Sequence, residues 1–181
     1  WERTFNVDWF GVYFCARAFM PLLVAAPVGA IVNTSSVNGF WASLGPDTPH
    51  TAYSAAKFAV KGFTEALVTD LRVNAPHVSA HVVMPGHIGT SIALNTYDAR
   101  QMPAAVVAVM RARMVKAGAP VADAPDDVIR NLMHQRAVDF RDKAPTSAEQ
   151  AATIILDGVR AGRWRILVGE DAERIDVMVR N

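Results

Sequence analysis

One cysteine, Cys15, stands among the 181 residues, so an internal disulfide is excluded. That scarcity fits a reducing compartment, and a cytoplasmic protein is expected. Charge of one sign is lacking as well: Lys and Arg number 18 against 17 Asp and Glu, a net charge of +1. With no basic block, neither nucleic acid nor an anionic membrane is expected as a partner. No apolar run approaches the ~20 residues that span a bilayer, and nothing at the N-terminus reads as a signal peptide. The five histidines show no metal-ligand spacing, so no metal site is expected. There is no internal repeat, low-complexity tract or linker, and the chain reads as a single domain over 1–181. An initiator Met is lacking too, and the first residues already read as helix, so an N-terminal portion is expected to precede them.

What is present is the composition of a folded chain, 51% hydrophobic and 19% charged. Residues 1–24 carry two apolar stripes at helical spacing, Phe5, Trp9, Val12, Ala16, Phe19 and Leu23, then Phe10, Phe14, Ala18 and Leu22. A helix apolar on two faces is usually buried on both, and Cys15 is expected in the core. Ala30 to Thr34 is a β-branched run that predicts a strand buried on both faces. A second helix is predicted over 51–73, a second strand at Ser79–Met84 and a third at Arg165–Val168. Thr146 or Ser147 is expected to cap a helix running to about Ala161. Strands separated by helices of this length predict parallel strands in an α/β fold.

Ligands of such folds bind beyond the carboxyl ends of the strands. Ser35 and Ser36 follow the first strand, and Pro85-Gly86-His87-Ile88-Gly89-Thr90 follows the second. Tyr53 and Lys57 stand four residues apart near the start of the helix between them, hence on one face. An ammonium within ~4–6 Å favours the phenolate, so the lysine is expected to lower the tyrosine's pKa and suit it to proton transfer. Spacing alone also fits a surface tyrosine beside a solvated lysine. His87 is expected to face substrate or solvent, and Asn38 to touch substrate or serve its turn.

The segments Asn33-Thr34-Ser35-Ser36-Val37-Asn38-Gly39, Tyr53-Ser54-Ala55-Ala56-Lys57 and Pro85 to Thr90, in that order, together with Phe5-Asn6-Val7-Asp8-Trp9-Phe10-Gly11, resemble the classical short-chain dehydrogenase/reductase family. The resemblance implies a doubly wound, Rossmann-type parallel sheet and hydride transfer between NAD or NADP and an alcohol or carbonyl substrate. It implies Tyr53 as general acid/base, Ser36 (with Ser35 the competing choice) as the group holding the substrate oxygen, and Lys57 on the nicotinamide ribose. Asn6 would help hold the water that joins Lys57 to solvent. Pro85, Gly86, Ile88 and Thr90 would contact the cofactor, Gly86 by letting the backbone approach the nicotinamide. A homodimer or homotetramer through helices 1–24 and 51–73 is implied as well.

Two departures stand out. Residues 44–50 lengthen the stretch between Ser36 and Tyr53 and are expected to shape the mouth of the site. The family's Gly-rich phosphate loop and Asn-Asn-Ala-Gly segment are absent, which leads us to expect roughly 100 further residues before Trp1, the size of a dinucleotide half-site. The insert at about 91–145 carries Met102, Val106, Val107, Met110, Met114, Leu132 and Met133. These side chains either pack its helices or accept a lipophilic substrate. A non-catalytic fragment acting as an interaction module is the alternative reading.

Overall fold

The structure, a computed structural model, describes residues 1–43, 50–96 and 98–180. The chain folds as two compact units, Trp1–His87 with Ala148–Asn181, and Ile88–Ser147. The first unit holds a parallel sheet of β1 (Gly29–Thr34), β2 (Val78–Pro85) and β5 (Arg165–Val168), with β2 in the middle. A central parallel strand is covered on both faces, and accordingly Val82, Val83 and Met84 are fully buried. His81 is buried among them because both ring nitrogens have partners, Arg163 O at 2.7 Å and Ser79 Oγ at 2.9 Å.

Helix α1 (Glu2–Phe5), a π-helical turn (Asn6–Phe10) and helix α2 (Gly11–Ala25) follow one another without a break. Helix α3 (Thr51–Asn74) lays Leu67 and Leu71 on Ile31, Val78 and Ala80, and Met20 and Leu23 of α2 join the same cluster. Helix α7 (Ala148–Arg160) meets β5 at Gly158, where a Cβ would lie 2.7 Å from Ile166 Cδ1. Helix α8 (Glu170–Arg180) is tied to β5 by the ion pair of Asp176 with Arg165.

Three expectations need correcting. Strand β1 buries Ile31 and Asn33 but exposes Ala30, Val32 and Thr34. Its one apolar cluster, shared with α2 and α3, lies on the Ile31 side, so only that face is covered. Within this chain α2 buries Ala16 alone and leaves Phe14 56%, Phe19 59% and Leu22 68% exposed, on the face expected to meet a second subunit. Cys15 shares that outward side and is exposed and free. Finally, the helix Glu2–Ala25 is long and apolar enough, by length and composition, to cross a bilayer. Counting uninterrupted apolar residues misses this because Asp8 and Arg17 break the run without making the helix polar on average.

In the second unit β3 (Ile88–Gly89) pairs in parallel with β4 (Thr146–Ser147), and α7 begins directly after Ser147, where the cap is expected. Helices α4 (Ile92–Thr96), α5 (Ala104–Lys116) and α6 (Asp126–Asp142) complete it. Helix α5 begins directly after Pro103, whose fixed φ suits a helix entrance. Met102, Val107, Met114 and Ile129 form the core of this unit.

Candidate active site

Beyond the end of β1 the two serines part company. Ser35 Oγ donates to the Lys57 carbonyl at 2.8 Å, fastening the chain to the backbone of α3. Ser36 stands close enough to the Tyr53 side chain to lower its pKa, and its Oγ accepts the Asn38 N–H at 3.2 Å. Of the two candidates, therefore, Ser36 is the one brought to the phenol. The turn Val37–Gly39 then passes so close to α3 that a Cβ on Gly39 would lie 2.3 Å from Ser35 Oγ and 2.9 Å from Lys57 O. Only glycine lets this turn and helix approach each other, and that approach sets Ser36 opposite Tyr53. Asn38 is buried and donates to Ser54 Oγ at 3.2 Å, so it serves the turn.

Tyr53 and Lys57 lie in the first two turns of α3. The Lys57 ammonium sits 5.5 Å from the centre of the Tyr53 ring and donates to Thr34 O at 3.2 Å. The His50 ring stands 6.1 Å from that of Tyr53. Residues 44–49, expected to shape the mouth, lie outside the described residues.

The Tyr53 pKa is raised, not lowered. Burial is the main cause, Ser36 opposes it, and the nearby Asp8 charge adds to it. This direction is opposite to the one expected from Lys57, because burial outweighs what lowers the pKa. Lys57 Nζ lies 3.5 Å from Asp8 Oδ1, so its positive charge is matched by a negative one.

Asp8 was not singled out from the sequence. Asn6 was, but it is exposed at the start of the π turn, and the side chain that meets Lys57 from this helix is that of Asp8. The wide turn is closed by Gly11 N–H bonding to Asn6 O, and Asp8 lies at its centre. Such turns occur often at functional sites. A sequence signal did exist: a lone acid in an apolar helix needs a partner if that face is covered.

At the end of β2, Gly86 N–H bonds Val168 O at 3.0 Å, and His87 N–H bonds Asp171 Oδ2 at 2.6 Å. A Cβ on Gly86 would lie 2.3 Å from either Asp171 carboxylate oxygen, so within this chain the glycine makes room for Asp171. Pro85 pairs with Val168 in the sheet. Ile88 and Thr90 belong to the second unit, where Ile88 pairs with Thr146 and Thr90 N–H bonds Ile88 O at 2.8 Å. That unit also has an apolar hollow of about 360 Å³ lined by Ile92, Met102, Val106, Met110, Met133 and Phe140, among others. Some of the insert's apolar residues thus pack its core while others line this hollow.

Residues 1–101 match the short chain dehydrogenase family. The SadH protein of Mycobacterium tuberculosis is 36% identical over 181 residues, 99% of this chain and 53% of SadH. A 3-ketodihydrosphingosine reductase of Bacteroides thetaiotaomicron is 36% identical over 91 residues, 50% of this chain and 31% of the reductase. A short-chain dehydrogenase/reductase of Burkholderia phymatum, crystallised with NAD, superposes with a TM-score of 0.64 at 28% identity, covering 97% of this chain and 54% of the other. The chain spans about half the length of SadH and of the Burkholderia phymatum protein.

Proposed function

This chain belongs to the short-chain dehydrogenase/reductase family, and from that premise we propose that the complete protein is an NAD- or NADP-dependent alcohol dehydrogenase or carbonyl reductase. The observation that carries the reading is the Lys57 ammonium 5.5 Å from the Tyr53 ring, one helical turn further on, with the Ser36 hydroxyl near enough to the phenol to lower its pKa. A serine, a phenol and an ammonium so placed can hold a substrate oxygen and exchange one proton with it.

The residues present fit the ribose end of such a cofactor. An ammonium has three donors, and among the described residues Lys57 Nζ meets two acceptors, Thr34 O and Asp8. One N–H is left for a sugar hydroxyl, and the Tyr53 hydroxyl lies on the same helix face. The NAD in the Burkholderia phymatum structure supports the same reading. Pro85, Gly86, Ile88 and Thr90 are proposed as further cofactor contacts. The cofactor, when bound, supplies or accepts the hydride. In reduction Tyr53, kept protonated by its burial, gives its phenolic proton to the substrate oxygen that Ser36 holds, while the carbonyl carbon gains the hydride. In oxidation the phenolate takes the hydroxyl proton as the hydride leaves.

A lipophilic alcohol or ketone is proposed as substrate. The relative named for 3-ketodihydrosphingosine supports it. Mixing the complete protein with NADH or NADPH and long-chain ketones should give substrate-dependent loss of the reduced cofactor's absorbance. If neither cofactor binds, the reading fails, and a non-catalytic interaction module takes its place.

We further propose a homodimer or homotetramer. The exposed Phe14, Phe19 and Leu22 of α2 and Phe58 of α3 support it, since exposed aromatic and aliphatic faces of this kind favour association. Sedimentation of the complete protein at micromolar concentration should give at least twice the monomer mass, and a monomer there would exclude the proposal.

A further inference from the structure

Lys57 is an almost buried cation, its side chain 11% exposed, and a buried charge is strongly destabilising unless it is paired. Its partner comes from a different element. Asp8, held in the π turn between α1 and α2 and 26% exposed at its side chain, places Oδ1 at 3.5 Å from Nζ. On its other side the ammonium donates to Thr34 O, at the end of β1. Three elements therefore fix one nitrogen, and that nitrogen stands 5.5 Å from the Tyr53 ring.

We propose that Asp8 is a positioning residue of this site: its carboxylate holds the Lys57 ammonium against the Thr34 carbonyl and neutralises the charge that Lys57 presents to Tyr53. The inference rests on the reading of Tyr53 as the proton-transferring group. The carboxylate touches neither substrate nor phenol; it acts through the lysine.

The other groups around the phenol do not duplicate this role. Ser36, from the turn after β1, is neutral and lowers the phenol's pKa. His50, at the N-terminal end of α3, faces it ring to ring. Lys61, one turn beyond Lys57, is paired with Glu65 on the same helix. Among the described residues Asp8 is thus the anion positioned to offset Lys57. Its charge raises the Tyr53 pKa, in the same direction as burial.

The sign of the effect follows. With Asp8 in place, Lys57 and Asp8 together are close to neutral, and the phenol keeps its proton. With Asp8→Asn the ammonium is uncompensated, the phenolate is favoured, and Tyr53 ionises at lower pH. The carboxylate lies within about 9 Å of the ring, and pairwise Coulomb interaction at that distance and an effective dielectric of about 20 gives a shift of about one pH unit or more.

The test is an ultraviolet phenolate titration of the complete protein, taken as the difference from Tyr53→Phe so that one of its tyrosines is isolated. A pH profile of hydride transfer accompanies it. For Asp8→Asn the Tyr53 midpoint should fall by about one unit or more, and Asp8→Glu should restore it. A carboxylate that merely braced the helix would leave the midpoint in place once the protein had folded. Asp8→Ser removes the same charge and serves if the asparagine variant does not fold. A midpoint unmoved to within about 0.2 unit, or moved upward, overturns the proposal. The titration needs no turnover, so the two readings fail separately. A shifted midpoint in a protein without hydride transfer sinks the oxidoreductase reading alone, and transfer with an unmoved midpoint sinks the role of Asp8 alone.

Discussion

Replacing Tyr53 with phenylalanine in the complete protein is expected to slow hydride transfer by about 10²–10⁴-fold, the usual worth of a positioned acid/base group. The substitution is narrow. Phenylalanine keeps the ring that α3 half-buries and removes only the hydroxyl. Ser36 still accepts the Asn38 N–H at 3.2 Å, so no buried hydroxyl is stranded. Stability should therefore change by no more than about 1 kcal/mol, the net worth of one hydrogen bond. Cofactor affinity should fall only modestly, because Lys57 keeps its place against Thr34 O. The pH profile supplies the sharper contrast. Burial holds the wild-type phenol protonated, so reduction should run level through neutral pH and decline only above the ordinary tyrosine value of about 10. In Tyr53→Phe that alkaline decline should vanish along with the rate. Steady-state rates and a thermal melt of both proteins measure all of this, and a variant that kept half the wild-type rate would remove Tyr53 from the chemistry.

Much of this arrangement is legible in the residues because its signals are local. Tyr53 and Lys57 share a helix face by their four-residue spacing, and the β-branched runs mark β1, β2 and β5 wherever they fall in space. Helix α8 is hidden for a physical reason. Glu170, Asp171, Glu173, Arg174, Asp176 and Arg180 dominate its eleven residues, leaving a thin apolar stripe around Ala172. The β3–β4 pair is two residues long, with partners from distant parts of the chain, and carries no periodicity to read. Faces are a separate matter. Periodicity says that Phe10, Phe14 and Leu22 lie together, but not whether anything in the chain covers them. Asp8 falls between these cases. Its residue type and its apolar surroundings are plain in the sequence, yet its partner lies in another helix, and only packing brings the two within 3.5 Å.

That partnership makes the second large effect a test of two quantities at once. Lys57→Met should lower kcat/KM by about 10²-fold or more, since it removes both the proposed ribose donor and the cation nearest the phenol. It should also destabilise the fold, because Thr34 O loses its donor and the Asp8 carboxylate loses its counter-charge. Breaking a fully buried pair costs about 3–5 kcal/mol, and the partial exposure of Asp8 places the loss below that range. The double variant Asp8→Asn with Lys57→Met separates the two effects. It removes the orphaned carboxylate, so the melting temperature should recover part of the way toward wild type. Activity should not recover, because the ammonium is still missing. Stability and activity are thus expected to move independently in the double variant, and a mutant cycle on each quantity measures the coupling. If activity rose together with the melting temperature, the loss in Lys57→Met would be one of folding, and Lys57 would have no part in the reaction. If Lys57→Met alone kept the wild-type rate within about threefold, the cation would not be needed at Tyr53 at all.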